Sequence, residues 1–308
     1  MPVAQMPTPA VEAFFHADTS TFTYLVHEGT GGAAAIIDPV LDYDAAAART
    51  ATASADALIA FVHAQRLRVE WILETHAHAD HLSAGGYLRD ALGAPLAIGR
   101  GIVDVQARFK TLFGLGEEFV ADGRQFDRLF DDGDTFHIGG LEARVLATPG
   151  HTGDSLTYVI GDAAFVGDTL FAPDVGTARC DFPGGDAAQL YASIQRILAL
   201  PADTRIFLCH DYPPGGRAPL AQTSIAAQRR DNVHVGHAAG LAHFVALRTG
   251  RDATLPVPRL ILPALQVNIR GSRLPAADAH AERWLPALAN STRRSWWWRL
   301  RLARSCAP

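Results

Sequence analysis

Residues 75–81 read Thr-His-Ala-His-Ala-Asp-His, so His76, His78, Asp80 and His81 bring three imidazoles and a carboxylate into seven positions. Imidazole and carboxylate together suit zinc, iron or manganese, and residues two apart on an extended segment project to the same side. The run follows the apolar stretch Val69-Glu70-Trp71-Ile72-Leu73. Three further candidate ligands stand in the same setting. His151 follows Ala143-Arg144-Val145-Leu146 and the turn Pro149-Gly150, Asp168 follows Ala163-Ala164-Phe165-Val166-Gly167, and His210 follows Arg205-Ile206-Phe207-Leu208-Cys209. Each sits where a strand of buried character gives way to a turn. In a layered α/β domain such strand ends gather along one edge, so all seven groups can meet in one metal site. A lone histidine beside a strand is more often an ordinary hydrogen-bonded polar residue. His16, His27, His63, His137, His234, His237, His243 and His280 are read that way.

The elements that must position these groups follow from periodicity and punctuation. Phe22–Val26 and Ala33–Ile37 flank Glu28-Gly29-Thr30-Gly31-Gly32 and read as a β-hairpin, with Asp38-Pro39 ending its second strand; Asp38 is expected to matter structurally without binding metal, a simple turn residue being the alternative. Ser54 is expected to cap a helix running to about Gln65. Leu82 to Leu92 reads as a short helix stopped by Gly93, with Asp80 and His81 expected in its first turn. Residues from about 117 to 160 read as strands and turns, and Asp131-Asp132-Gly133-Asp134 is an exposed turn; it lacks the remaining ligand spacing of a calcium loop. Asp186 caps a helix through about Ala199, and further helices are expected over Ala221–Arg230 and Ala238–Arg248. With no internal repeat and ligands spread from 76 to 210, one domain explains the order better than two.

Composition narrows the class. Hydrophobic residues at 48% and charged residues at 19% suit a folded domain with a large core. A net charge of −5 argues against a general nucleic-acid surface. Cys180, Cys209 and Cys306 are too few and too scattered for a disulfide framework and are read as packing residues, which fits a reducing compartment. Residues 1–15 show no secretory signal, and no apolar run is long enough to span a bilayer. The expectation is a cytoplasmic enzyme without an integral membrane segment; association into a homo-oligomer stays open. The tail, with Trp296-Trp297-Trp298 among arginines, has poor apolar periodicity and is expected to be poorly ordered rather than a membrane-surface segment.

The His-x-His-x-Asp-His string with His151, Asp168 and His210 behind it resembles the metallo-β-lactamase superfamily. The resemblance covers roughly residues 12–270, leaving 271–308 as a C-terminal extension. It implies an α/β fold, an αββα sandwich of two mixed β-sheets flanked by helices. Finer strings are similar to the persulfide dioxygenases (sulfur dioxygenases) within it: Thr75 to His81, Pro149-Gly150-His151-Thr152, Gly167-Asp168-Thr169-Leu170, Gly176-Thr177-Ala178-Arg179-Cys180-Asp181-Phe182, Cys209-His210-Asp211-Tyr212 and Gln228-Arg229-Arg230-Asp231-Asn232. The segment from Arg251 to Arg270 looks like the bacterial branch of that group, and the tail after about Glu282 departs from it.

This resemblance implies one Fe(II) per chain held by His76, His151 and Asp168, with His78, Asp80, His81 and His210 orienting ligands or waters. Two histidines and a carboxylate leave positions open on iron for a sulfur anion and O2. It further implies glutathione persulfide, or a similar low-molecular-weight persulfide, and O2 as substrates, sulfite and free thiol as products, and Arg179, Tyr212 and Arg229 as residues recognising the thiol carrier. In hydrolytic relatives the same positions build a two-metal site. The ligand set therefore also admits a binuclear zinc thioester hydrolase of the glyoxalase II type, and a non-catalytic metal- or persulfide-binding regulator is a further alternative.

Overall fold

Alternation decides the architecture. In the strand β2 (Thr21–His27), Tyr24 and Val26 face one way and Leu25 the other; in β3 (Ala33–Ile37), Ala35 and Ile37 oppose Ala34 and Ile36. Both faces are apolar, so the sheet that these strands form must be covered on both sides. The computed structural model, which describes residues 8–277 and Leu285, shows how this is done.

The first sheet is ordered β1 (Ala10–His16), β2, β3, β6 (Arg68–Leu73), β8 (Leu96–Gly99) and β9 (Arg128–Phe130). It is antiparallel through β3 and parallel thereafter. The second comprises β10 (Thr135–Ile138), β11 (Leu141–Ala147), β12 (Leu156–Ile160), β13 (Ala163–Phe165), β14 (Arg205–Phe207) and β15 (Gln222–Ser224). Its only parallel pair is β13 with β14. A small third sheet joins β4 (Val40–Asp44), β5 (Arg49–Ala51) and β7 (Leu82–Ser83).

The two large sheets stack through Tyr24, Val26, Ile37, Leu73, Phe136, Val145, Tyr158, Phe165 and Phe207. The outer face of the first is covered by α1 (Ala53–Ala64), α2 (Gly85–Leu92), α3 (Ile102–Phe113) and α7 (Ile261–Asn268), through Leu58, Leu88, Phe109 and Leu265 among others. The outer face of the second carries α4 (Ala187–Leu198), α5 (Ile225–Asp231) and α6 (Leu241–Asp252), through Leu190, Ile194, Ile225 and Phe244. Burying each of these large apolar side chains contributes roughly 1.5–3 kcal/mol. The expected αββα sandwich of two mixed sheets is the fold found.

The hairpin β2–β3, the Asp131–Asp134 turn and the Asp186 cap, which accepts from Gln189 N at 2.8 Å, all stand as read from the sequence. Several boundaries move. The first helix begins at Ala53 after Thr52, which makes no side-chain cap bond, and Ser54 lies in its first turn, where its N and Oγ donate to Asp42 at 2.9 and 2.6 Å. Gly93 does stop α2 in the left-handed conformation at φ 69°. That helix starts only at Gly85, however, because Leu82–Ser83 pair with β4 as a strand. Asp80 and His81 therefore lie on a loop rather than in a helical turn. Residues 222–224 form the strand β15 before α5, and α6 runs from 241 to 252. The tryptophan- and arginine-rich tail lies outside the described residues. Among the described residues no helix is long and apolar enough to cross a membrane.

Candidate metal centre

Five strands end at one edge of the sandwich, and each delivers part of the site. β3 and β6 run parallel and lead into Asp38 and the His76–His81 loop. β11 and β13 are both antiparallel to β12, so they run the same way as each other and as β14, leading into His151, Asp168 and His210. The turn before His151 needs Gly150: its φ is +138°, and a Cβ there would lie 2.2 Å from Leu190 N on α4.

The structure brings all seven expected groups together. Donor atoms of His76, His151 and Asp168 lie within 4.8 Å of one another, and those of His78, Asp80, His81 and His210 form a second such group. The groups meet at Asp168, whose Oδ2 is 3.6 Å from His151 Nε2 and whose Oδ1 is 3.3 Å from His210 Nε2. His76, His78, His81, His151, Asp168 and His210 are all buried.

Each histidine that is anchored is anchored through one nitrogen. His76 Nδ1 is 3.1 Å from Thr75 Oγ1, whose hydroxyl donates to Asp38 Oδ2 at 2.9 Å. Thr75 must then accept from His76 Nδ1–H, leaving the Nε2 lone pair free. His151 Nδ1 donates to Arg179 O at 2.7 Å, His78 Nε2 to Asp38 Oδ1 at 3.0 Å, and His210 Nδ1 sits 3.3 Å from Ser20 O. Meanwhile His76 Nε2, His78 Nδ1 and both nitrogens of His81 are buried without a hydrogen-bond partner among the described residues. Burying a polar atom unpaired is costly, and an imidazole with one nitrogen fixed and the other bare is the arrangement of a metal ligand. The residues fit a metal cation.

For His76 and His78 the protonation states agree with that reading, whereas without a cation His210 is held protonated by the carboxylates around it. Burial, reinforced by neighbouring imidazoles, pushes His76 and His78 well below the usual histidine range, so both are neutral donors. Burial alone would raise Asp80, but His210 outweighs it and holds the carboxyl well below its ordinary value. Burial raises Asp168, with His210 and His151 opposing. For His210, burial acts downward, yet Asp168 and Asp80 carry it up to about 10.

A cavity of about 830 Å³ opens onto Asp80, His151 and Asp168, with Phe171, Val175, Phe182 and Val257 on its walls. Arg179 lines it, but its guanidinium is engaged: Nε and Nη2 donate to Asp181 at 2.7 and 3.0 Å, and Nη1 to Pro256 O at 2.6 Å. What Arg179 gives the metal group directly is its backbone carbonyl, on His151. Tyr212 stands at the mouth, its ring stacked on His210 with centroids 5.9 Å apart and its hydroxyl 3.4 Å from Asp80 Oδ2. Arg229 is a correction. It does not line the cavity but donates to Leu198 O and Leu200 O at the C-terminal end of α4, where a cation satisfies unpaired carbonyls.

Asp38 has the structural part expected of it: buried, at φ +50°, it accepts from Thr75 N at 2.7 Å, Thr75 Oγ1 and His78 Nε2. Other residues of the site were not expected. Asp154 accepts from Ala77 N at 2.9 Å. His234, read as ordinary, lines the cavity; burial and Arg248 take it down to about 4, and its Nδ1 accepts from Thr177 N at 3.0 Å. Arg248, Arg251 and Arg259 line the same wall. No pattern in the sequence marks these out, because they come from segments remote from the ligand motifs.

The metallo-beta-lactamase superfamily model matches residues 17–210. A probable metallo-hydrolase of Burkholderia pseudomallei (strain 1710b) is 52% identical over 285 residues, 89% of this chain and 97% of that protein. The human mitochondrial persulfide dioxygenase ETHE1 is 34% identical over 202 residues, 64% of this chain and 66% of that protein. The crystal structure of ETHE1 from Myxococcus xanthus superposes with a TM-score of 0.67 at 32% identity, covering 86% of this chain and 100% of that one. With its ligand loops at the shared edge of an αββα sandwich, the chain belongs to the metallo-β-lactamase superfamily and resembles its persulfide dioxygenase-like members.

Proposed function

We propose that this protein is an iron-dependent persulfide dioxygenase that uses O2 to oxidise glutathione persulfide, or a similar low-molecular-weight persulfide, to sulfite and free thiol. The observation that carries the reading is the composition of the first donor group. It holds two histidines and one carboxylate, His76, His151 and Asp168, while His78 falls in the second group with its Nε2 turned onto Asp38. Fe(II) held by such a triad keeps coordination positions open for a persulfide sulfur and for O2. The names of the human and Myxococcus relatives point the same way.

The chain's own residues supply binding and exclusion. Phe171, Val175, Phe182 and Val257 give the cavity a dry wall beside His151 and Asp168. At its outer wall Arg251 and Arg259 are exposed, and neither side chain has a partner among the described residues. Guanidinium groups so placed suit the carboxylates of an anionic thiol carrier, the task first expected of Arg179 and Arg229. Tyr212, stacked on His210, is the remaining expected residue at the mouth. Buried Cys209, free among the described residues, fits a cytoplasmic setting.

The second group, His78, Asp80, His81 and His210, favours one rival: a binuclear zinc hydrolase acting on thioesters, in line with the name of the Burkholderia relative. Metal analysis and oxygen uptake separate the two. After anaerobic loading, the expected result is one iron per chain and O2 consumption with glutathione persulfide. His151→Ala should lose both, whereas His210→Ala should keep the iron. Two zincs per chain with thioester hydrolysis and no O2 uptake would establish the rival.

A further inference from the structure

The loop from Thr75 to His81 carries four of the seven donors yet belongs to neither helix nor strand. Side chains from distant elements hold its backbone. Asp38, after β3, takes Thr75 N, and Asp154, before β12, takes Ala77 N. The third clamp comes from α7. Asn268, at the last turn of α7 and 4% exposed, donates from Nδ2 to His78 O at 2.8 Å and to His81 O at 2.9 Å. Its Oδ1 accepts from Ser83 N at 2.9 Å.

We infer that Asn268 is a positioning residue for the metal loop, setting the backbone from which His78, Asp80 and His81 project. The chemistry leaves little choice of side chain. Two carbonyls need two N–H donors and one backbone N–H needs an acceptor, and a carboxamide offers that set in one plane. An aspartate would set oxygen against two carbonyl oxygens. The three bonds span residues 78–83 and reach across 185 to 190 positions of chain. Asn268 also lies outside residues 17–210, the part matched by the superfamily model. A helix outside the segment that the superfamily model matches therefore fixes the geometry of the motif inside it. A displaced carbonyl at 78 or 81 rotates the adjoining imidazoles, and His76 lies on the same loop. Losing such an orienting contact typically weakens metal binding about 10–100-fold.

The inference rests on reading these donors as a metal site, and Co(II) titration of the full chain tests both separately. Co(II) absorption reports ligand geometry without turnover. Asn268→Ala and the milder Asn268→Ser, which keeps one hydroxyl donor, should bind the first equivalent about 10–100-fold more weakly than wild type. At saturation they should show an altered ligand-field spectrum. Gln106→Ala is the control, because buried Gln106 donates to Ile269 O at 2.8 Å, next to Asn268, without touching the loop. It should lower the melting temperature while leaving affinity and spectrum as in wild type. Wild-type affinity and spectrum in both Asn268 variants would overturn the role of Asn268, as would the same spectral change in Gln106→Ala. A wild-type chain that binds no Co(II) would overturn the metal reading itself, and the inference with it.

Discussion

At the scale of single residues, the site divides into groups already satisfied and groups left open. Arg179 is satisfied: Asp181 and Pro256 O occupy its fork, so it adds rigidity to the carbonyl that orients His151. Arg251 and Arg259, on the same cavity, have no side-chain partner among the described residues. Each charge-assisted hydrogen bond to a carboxylate contributes about 1.5–3 kcal/mol, or roughly 10–150-fold in affinity. On the persulfide reading, Arg251→Ala and Arg259→Ala should raise KM for glutathione persulfide by factors in that range while iron content stays at wild type. A small uncharged persulfide should be affected far less. Steady-state O2 uptake on the two substrates checks this, and equal losses on both would remove these arginines from substrate recognition.

At the scale of elements, α6 acts as a brace for the loop after Asp168. Arg248 and Asp252, both buried on this helix, pair with each other, and Arg248 Nη1 donates to Thr177 O at 2.9 Å. Asp252 Oδ2 accepts from Cys180 N at 2.9 Å. The loop between those two contacts carries the Arg179 carbonyl on which His151 is fixed. Removing one partner of a buried ion pair leaves the other charge uncompensated and costs about 3–5 kcal/mol. Asp252→Ala should show a loss of that size in denaturant unfolding and weaker metal retention. Replacing both with a well-packed apolar pair should recover most of the stability. Retention of metal would not return with it, since the bond to Cys180 N is still missing. An unchanged metal affinity in Asp252→Ala would show that α6 supports stability alone.

At the scale of the molecule, the sandwich concentrates at one edge a set of buried groups that are poorly satisfied without a cation. Among the described residues His76 Nε2, His78 Nδ1 and both nitrogens of His81 lack hydrogen-bond partners, and burial raises Asp168. A ligand that binds the folded chain alone stabilises it by about 2.7 kcal/mol at 100 times its Kd. Chelation should therefore lower the melting temperature by several degrees, and re-addition of the metal should restore it. A chelator-treated chain that melts where the loaded one does would mean that these groups hold no metal tightly. The two hydrophobic layers outside the sheets do not depend on the site, so the fold should survive chelation with its helix and strand content intact.

The seven donors, the strands that deliver His151, Asp168 and His210, the hairpin β2–β3, the Asp186 cap and the stop at Gly93 were all legible from residue type, spacing and alternation. These are local properties: a ligand motif, a two-residue period and a cap each occupy a short window of chain. Element boundaries next to the site were not, because Leu82–Ser83 and Gln222–Ser224 become strands only by pairing with β4 and β14. The roles of Asp154 and Asn268 were also beyond the sequence, as were the particular partners of Asp38 and the placing of Arg229 off the cavity. Each depends on hydrogen bonds across 29 to 190 positions of chain, and a side chain's partner at that separation is set by how the layers stack. The chain's own residues determined which groups can hold a metal. Only the packing of α6 and α7 against the two sheets decided which backbone carbonyls aim those groups and which arginines line the cavity.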